Sequence, residues 1–232
     1  MSAGSANAND TASPALTFYT ANTPNGQKVS IYLQEAGLPY RQVDIDLNKG
    51  EQKRPEYLAI NPNGKIPALV DHGENITVFE SGAILSYLSS RYGALHPADP
   101  REQWQIQQWL HFQIGGIGPM LGQLWWFRHG SRSGNREAIE RYAKEAHRLY
   151  GVVERQLSRS AYLALDRYTI ADIAAFPWLR THDELQLDIA EYRHVLRWLD
   201  RIAERPAVQR GLAALRPPFG ASQDATQDAA EA

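Results

Sequence analysis

The sequence predicts a small α/β domain followed by an all-helical one. Three observations carry that reading. Residues 16–45 alternate strand, helix and strand patterns, residues 61–93 add two short strands and a closing helix, and from Arg101 onward only helical periodicity is present.

"LTFYT" (16–20) is a short apolar, β-branched run, hence a strand. In the next segment Val29, Tyr32, Leu33 and Ala36 fall at i, i+3, i+4 and i+7, one apolar helical face, and Gly37 follows as a stop. The polar knot Asn22-Thr23-Pro24-Asn25-Gly26 precedes it, so Asn25 or Gly26 is expected to open the helix. "YRQVDIDL" alternates around Val43 and Ile45 as a second strand, and a helical crossover between two strands implies parallel pairing. "RPEYLAI" reads as a short irregular helix, "NPNGKIPALV" as a turn and a strand starting near Pro67, and "ITVFE" as a strand after the hairpin turn "DHGEN". "SGAILSYLSSRYG" is a helix with Ile84, Leu85, Leu88 and Tyr92 on one face. The first domain is therefore β-α-β-α-β-β-α over 16–93. A linker is expected at 94–100 and the helical domain at 101–216. "REQWQIQQWLHFQ", "NREAIERYAKEAHRLYGVVERQL" and "EYRHVLRWLDRIAERP" are its clearest helices, the last stopped by Pro206. Residues 1–15 and 217–232 are small and polar and read as a disordered arm and tail.

Composition narrows the function. Twenty-four Lys and Arg stand against 26 Asp and Glu, a formal charge of −2, which gives no field favouring nucleic acid or an anionic membrane. No stretch approaches a membrane span, and the first residues lack the basic start and apolar centre of a secretory signal, so the expected location is the cytoplasm. There is no cysteine, which excludes disulfide scaffolds, Cys-ligated zinc and a cysteine nucleophile. Any thiol chemistry must use a thiol that arrives with a ligand. No metal site is expected.

Three motifs point to chemistry. The knot places Thr23 and Asn25 at a helix N-terminus, where a thiolate would be stabilised; the alternative is an ordinary N-cap. In "NGKIPAL", an Ile66–Pro67 bond in the cis form would leave the backbone of Ile66 free for an extended peptide ligand. In "FESGAI", Ser81 with the helix N-terminus suits a ligand carboxylate and Glu80 an ammonium, against the plainer reading of a Ser cap with an acidic neighbour. Thr169 and Asp172 in "TIADIAAF" form a capping-box pattern, read as structural. The Gly-rich break "GGIGP" leads to Trp125, Trp126 and Phe127, read either as core or as the wall of an electrophile pocket.

In this order, ahead of a helical domain, the motifs resemble the glutathione transferase superfamily over roughly residues 16–215. "TPNGQKVSIYLQEAGLPY", "KGEQKRPEYLAINPNGKIPALVD", "FESGAILSYL" and "GGIGPMLGQ" are similar to its nu class, bacterial disulfide-bond oxidoreductases. The resemblance implies a thioredoxin-like first domain, glutathione as co-substrate with two molecules accommodated per subunit, and a homodimer. It implies that Thr23 and Asn25 face the glutathione sulfur. Ile66, between Lys65 and a cis Pro67, would grip the cysteinyl unit. Glu80 and Ser81 would clamp the γ-glutamyl end, Gln52 would lie near the glycyl end or the second glutathione, and Arg141 would reach the neighbouring subunit's site. Gln27 receives no role.

Thiol activation alone gives little. A free thiol is about 3% thiolate at pH 7; lowering its pKa by ~2 units raises that to about 75% but cuts intrinsic nucleophilicity roughly 8-fold. The net gain is about threefold, so most of the rate must come from holding a second reactant in line. That favours a site for two thiols or a glutathione disulfide. The rival functions are attack of the thiolate on organic electrophiles, activated aryl ethers included, and glutathione binding without catalysis.

Overall fold

Apolar alternation and helical periodicity place four strands and nine α-helices in the computed structural model, whose described residues are 14–217. Four strands form one sheet: β1 (Leu16–Thr20), β2 (Tyr40–Asp44), β3 (Ala68–Asp71) and β4 (Ile76–Phe79). Their order is β2-β1-β3-β4. β1 pairs with β2 in parallel and with β3 antiparallel, and β3 with β4 antiparallel. The helical crossover that imposes the parallel pair is α1 (Pro24–Glu35); α2 (Pro55–Leu58) and α3 (Ser81–Tyr92) complete the α/β half. The expected thioredoxin-like order is therefore the one observed. Gly93, at φ 79°, ends α3 as the sequence predicts. The arm expected at 1–15 and the tail at 217–232 lie outside the described residues except for Pro14, Ala15 and Pro217.

The helical half runs α4 (Pro100–Phe112), α5 (Gly118–Trp125), α6 (Arg136–Leu157), α7 (Ile170–Leu179), α8 (Arg193–Ala203) and α9 (Pro206–Ala213). Two expectations are corrected here. "GGIGP" is not a break: a π-helical turn at Gln113–Ile117 carries α4 directly into α5, and a second one at Trp126–Gly130 follows. Pro206 does not only stop α8; it opens α9, where its missing N–H is no loss. The Thr169–Asp172 capping box forms as predicted, with Asp172 fully buried. None of the helices among the described residues is long and apolar enough to cross a membrane.

Helix α1 is buried more completely than its one apolar face suggests. Gly26 and every residue from Lys28 to Leu33 are buried. The physical reason is position: α1 lies at the junction of the two halves, and α7 and α9 cover the side that the sheet leaves open. Ser30 donates to the Gly211 carbonyl at 2.6 Å. A Cβ on Gly211 would stand 2.6 Å from the Ile31 Cα, so only glycine lets α9 approach this closely. One core runs through both halves, from Phe18, Leu69 and Ile84 to Leu121, Phe176 and Trp198.

Candidate functional site

Strand direction brings the three sequence motifs to one end of the sheet. Tyr19 pairs with Ala68, and Ala68 with Phe79. β1 and β4 run towards this edge and β3 starts from it. The knot after Thr20, the Ile66–Pro67 bond and Glu80 therefore emerge together, and the loop carrying Gln52 follows the end of β2.

At the knot, α1 opens at Pro24, one or two residues before the sequence reading placed its start. Thr23 is the N-cap, its Oγ1 accepting from the Gly26 N–H at 3.3 Å. Capping uses a lone pair of the hydroxyl and leaves its hydrogen to donate outward. Asn25 sits within the first turn, and its Oδ1 accepts from the indole Nε1 of Trp178 at 3.0 Å. That bond fixes the amide, because only its oxygen can face an N–H donor; the Nδ2 donor then faces the other way.

Trp178, on α7, was not singled out in the sequence, although the signal was there in "GGIGPMLG". A Cβ on Gly122 would lie 3.2 Å from the Trp178 ring, and one on Gly118 would lie 3.4 Å from its Nε1 and 2.9 Å from Gln113 Nε2. The glycines make room for Trp178 and Gln113, side chains of this chain, rather than only for a ligand.

The Ile66–Pro67 peptide is cis. The Lys65 carbonyl just before it accepts from Tyr57 Oη and Asn61 Nδ2, both at 2.7 Å, while the Lys65 side chain is exposed. Neither backbone polar group of Ile66 is bonded among the described residues. Gln52 donates weakly to the Leu47 carbonyl at 3.4 Å, and its Oε1 is buried without a partner.

At the third motif Glu80 has φ 70°, a region that costs a non-glycine residue about 1–3 kcal/mol and clusters at functional sites. Its exposed carboxylate is 3.5 Å from Asn63 Nδ2. Ser81 is the first residue of α3 and makes no cap bond, so the plainer reading of a Ser cap does not hold. It is buried and accepts instead from Lys28 Nζ at 3.2 Å. Lys28, from α1, also donates to Gln113 Oε1 at 2.6 Å. Burial pulls its ammonium down to about 7, against the opposing field of Glu80. The sequence reading passed over Lys28, although it stands four residues before Tyr32 on the apolar face of α1.

Arg141 lies apart from these groups, exposed on α6, where its charge helps hold the Glu145 carboxyl below its usual range, after the larger effect of Arg148. Next to the knot is a cavity of about 750 Å³. Asn22, Thr23 and Gln27 from the α/β half and Trp125, Trp178 and Arg180 from the helical half are among the residues that line it. Trp125 thus lines a cavity, its Nε1 donating to Glu184 at 2.5 Å. Trp126 and Phe127 do not line the cavity; Phe127 stacks on Tyr142 at 5.6 Å between ring centroids.

Sequence comparison agrees with this architecture. The glutathione S-transferase N-terminal domain model matches residues 14–90, and the C-terminal domain model matches 117–206. The Escherichia coli disulfide-bond oxidoreductase YfcG is 46% identical over 202 residues, covering 85% of this chain and 94% of the relative. A Burkholderia graminis glutathione transferase, solved with two glutathione molecules bound per subunit, superimposes with a TM-score of 0.83 at 41% identity, over 87% of this chain and 88% of the other. A Pseudomonas putida glutathione transferase, solved with one glutathione disulfide per subunit, gives 0.80 at 41% identity, over 86% and 91%. Matched through both halves, with one end of the sheet converging on an N-terminal helix cap, a cis proline and a Glu-Ser pair whose glutamate has a positive φ, the chain belongs to the glutathione S-transferase family.

Proposed function

We propose that the protein is a glutathione-dependent disulfide-bond oxidoreductase whose reacting sulfurs all belong to ligands. The observation that carries this reading is the Trp178–Asn25 bond. It turns an amide donor outward beside the Thr23 hydroxyl, at a helix N-terminus, in a chain with no cysteine. Two donors and a helix dipole suit a thiolate. The adjoining cavity of about 750 Å³ has room for a second sulfur ligand in line with the first.

Thr23 and Asn25 hold the attacking glutathione as its thiolate. Its sulfur bonds to one sulfur of the substrate disulfide, and the other leaves as a thiolate. A second glutathione thiolate then attacks the glutathionyl sulfur of the mixed disulfide. Glutathione disulfide forms and the substrate leaves as a second thiolate; two electrons pass from two glutathiones to one disulfide. Ile66 offers its free N–H and C=O to the cysteinyl unit, with Pro67 fixing the turn and Lys65 held behind it. Glu80 takes the γ-glutamyl ammonium and Ser81 its carboxylate. Gln52 serves the glycyl end or the second glutathione. The reaction draws on reduced glutathione, so the proposed compartment is the cytoplasm.

Purified protein with glutathione and 2-hydroxyethyl disulfide is expected to turn over, and chlorodinitrobenzene to react more slowly. The reverse order makes it a conjugating transferase, a reading that the Trp125 and Trp178 wall would suit. Glutathione binding with no turnover of either would make it a binding protein.

Glu80→Ala and Ser81→Ala are each expected to weaken glutathione binding by about 10- to 100-fold, the loss of one charge-assisted contact. Reactivity of the bound thiol should change less. Unaltered affinity in both variants by calorimetry moves the ligand elsewhere.

The proposed assembly is a homodimer in which Arg141 serves the neighbouring site. Sedimentation should show a dimer, and Arg141→Ala should weaken glutathione binding without dissociating it. A monomer at every concentration removes Arg141 from the site.

A further inference from the structure

Lys28 combines three features that ordinary packing does not require. It is 1% exposed, its two hydrogen-bond partners are uncharged and come from different halves of the chain, and no carboxylate bonds to it among the described residues. A buried ammonium is costly unless it is paired. We propose that Lys28 is a positioning residue for the γ-glutamyl carboxylate, turning the Ser81 hydroxyl toward it and supplying the buried positive charge that this ligand group completes. The inference rests on the proposed glutathione site and adds to it a coupling between binding and proton uptake.

Hydrogen-bond chemistry supports the orientation. An ammonium has no lone pair, so with Lys28 donating to Ser81 Oγ the serine's own hydrogen cannot point back at Nζ. It remains for an acceptor in the cleft. Gln113 fixes the other side: its Oε1 holds Lys28 at 2.6 Å, and its buried Nε2 has no partner. Ser81 and Gln113 are themselves 4% and 0% exposed, so water does not replace them.

The surrounding charges leave Lys28 short of compensation. Glu80, at the junction of β4 and α3, is the carboxylate whose field reaches it, and Glu80 is exposed. On α7, Asp172 spends its oxygens on Thr169, Leu163 and Trp198. On α9 and the residue before it, Arg205 and Arg210 pair with Glu35 and Gln34 at the far end of α1. A carboxylate arriving at Ser81 therefore favours the ammonium form. With the free amine titrating at about 7, the unliganded protein is near half-charged at neutral pH and the complex is fully charged. Binding then takes up about half a proton at pH 7, and affinity falls as pH rises through that range.

The test is calorimetry with S-methylglutathione, which has no titrating thiol, from pH 6 to pH 8 in two buffers of different ionisation enthalpy. Affinity is expected to be about tenfold weaker at pH 8 than at pH 6, with net proton uptake at pH 7. Lys28→Met should bind weakly at both pH values with the slope gone, whereas Lys28→Arg, charged throughout, should keep its pH 6 affinity at pH 8. The wild-type profile decides the matter even where a variant does not fold. Affinity independent of pH, with no proton uptake, overturns the role of Lys28; if Ser81→Ala still weakens binding in that case, the glutathione site stands. No binding by the wild type at any pH, or binding indifferent to both Glu80→Ala and Ser81→Ala, overturns the site and this inference with it.

Discussion

On the proposed site, disulfide turnover with glutathione is expected to fall about tenfold in Thr23→Ala and in Asn25→Ala, and further in the double variant, each removing about 1.4 kcal/mol of the hydrogen bonding proposed to the reacting sulfur. The two donors share one sulfur, so the double loss need not reach the additive limit of about a hundredfold. Stability should move little. Thr23→Ala deletes an N-cap bond to Gly26 that is already long at 3.3 Å, a loss of about 1 kcal/mol. Asn25→Ala leaves the Trp178 Nε1–H without its acceptor, but that ring is only half-buried and water can serve it. Trp178→Phe is the informative fourth variant. It keeps both donors and frees the Asn25 amide to flip, so turnover should drop roughly threefold or more while KM for glutathione stays near the wild-type value. Stopped-assay turnover per folded molecule on the same four proteins, with thermal unfolding to establish the folded fraction, separates this from pure capping, which predicts the same small loss of stability but full activity. Full activity in the double variant ends the thiolate reading of the knot.

The largest stability effect belongs to Asp172. Its Oδ1 accepts from the Leu163 N–H and from Trp198 Nε1, both at 3.0 Å. Its Oδ2 accepts from the Thr169 N–H at 2.9 Å and the Thr169 hydroxyl at 3.0 Å. Burial pushes the carboxyl upward and these donors pull it back. Asp172→Ala strands three N–H groups in the core at about 1–3 kcal/mol each. The expected loss exceeds about 3 kcal/mol, or roughly 10 °C in melting temperature for a chain of this size. Asp172→Asn should do almost as badly, since its NH₂ would face two donors. At temperatures where these variants remain folded, disulfide turnover should match the wild type. A catalytic deficit in well-folded Asp172→Asn, with no loss of stability, would contradict the structural role.

Much of this was legible in the sequence because local patterns carried it. Periodicity placed the strands and most helices, Gly93 ended α3, and the Thr169–Asp172 spacing gave the capping box. The convergence of Thr23, Ile66 and Glu80 at one edge was only half legible: the β-α-β order and the hairpin fix two strand pairings, and the antiparallel β1–β3 pair that joins them is seen in the structure. What escaped was the second layer of contacts. Lys28 and Trp178 work through residues 53 and 153 positions away, and no local pattern reports such a pairing. "GGIGP" was misread for the same reason: its Gly118 answers to Gln113 and to Trp178 on α7, as does Gly122 beyond it to the same ring. The burial of α1 beyond its one apolar face was hidden likewise, since much of its cover comes from α7 and α9.

That last contact has a consequence for biosynthesis. Ser30 and Gly211, which bond across the α1–α9 junction, are 181 residues apart. At about 5–20 residues per second, a ribosome makes them roughly 10–35 s apart. In the later part of that interval the α/β half has been made while the α9 cover for the face around Ile31 has not. Nascent chains stalled before Pro206 should therefore be caught by holdase chaperones or trimmed by proteases, and release should follow only when α9 docks.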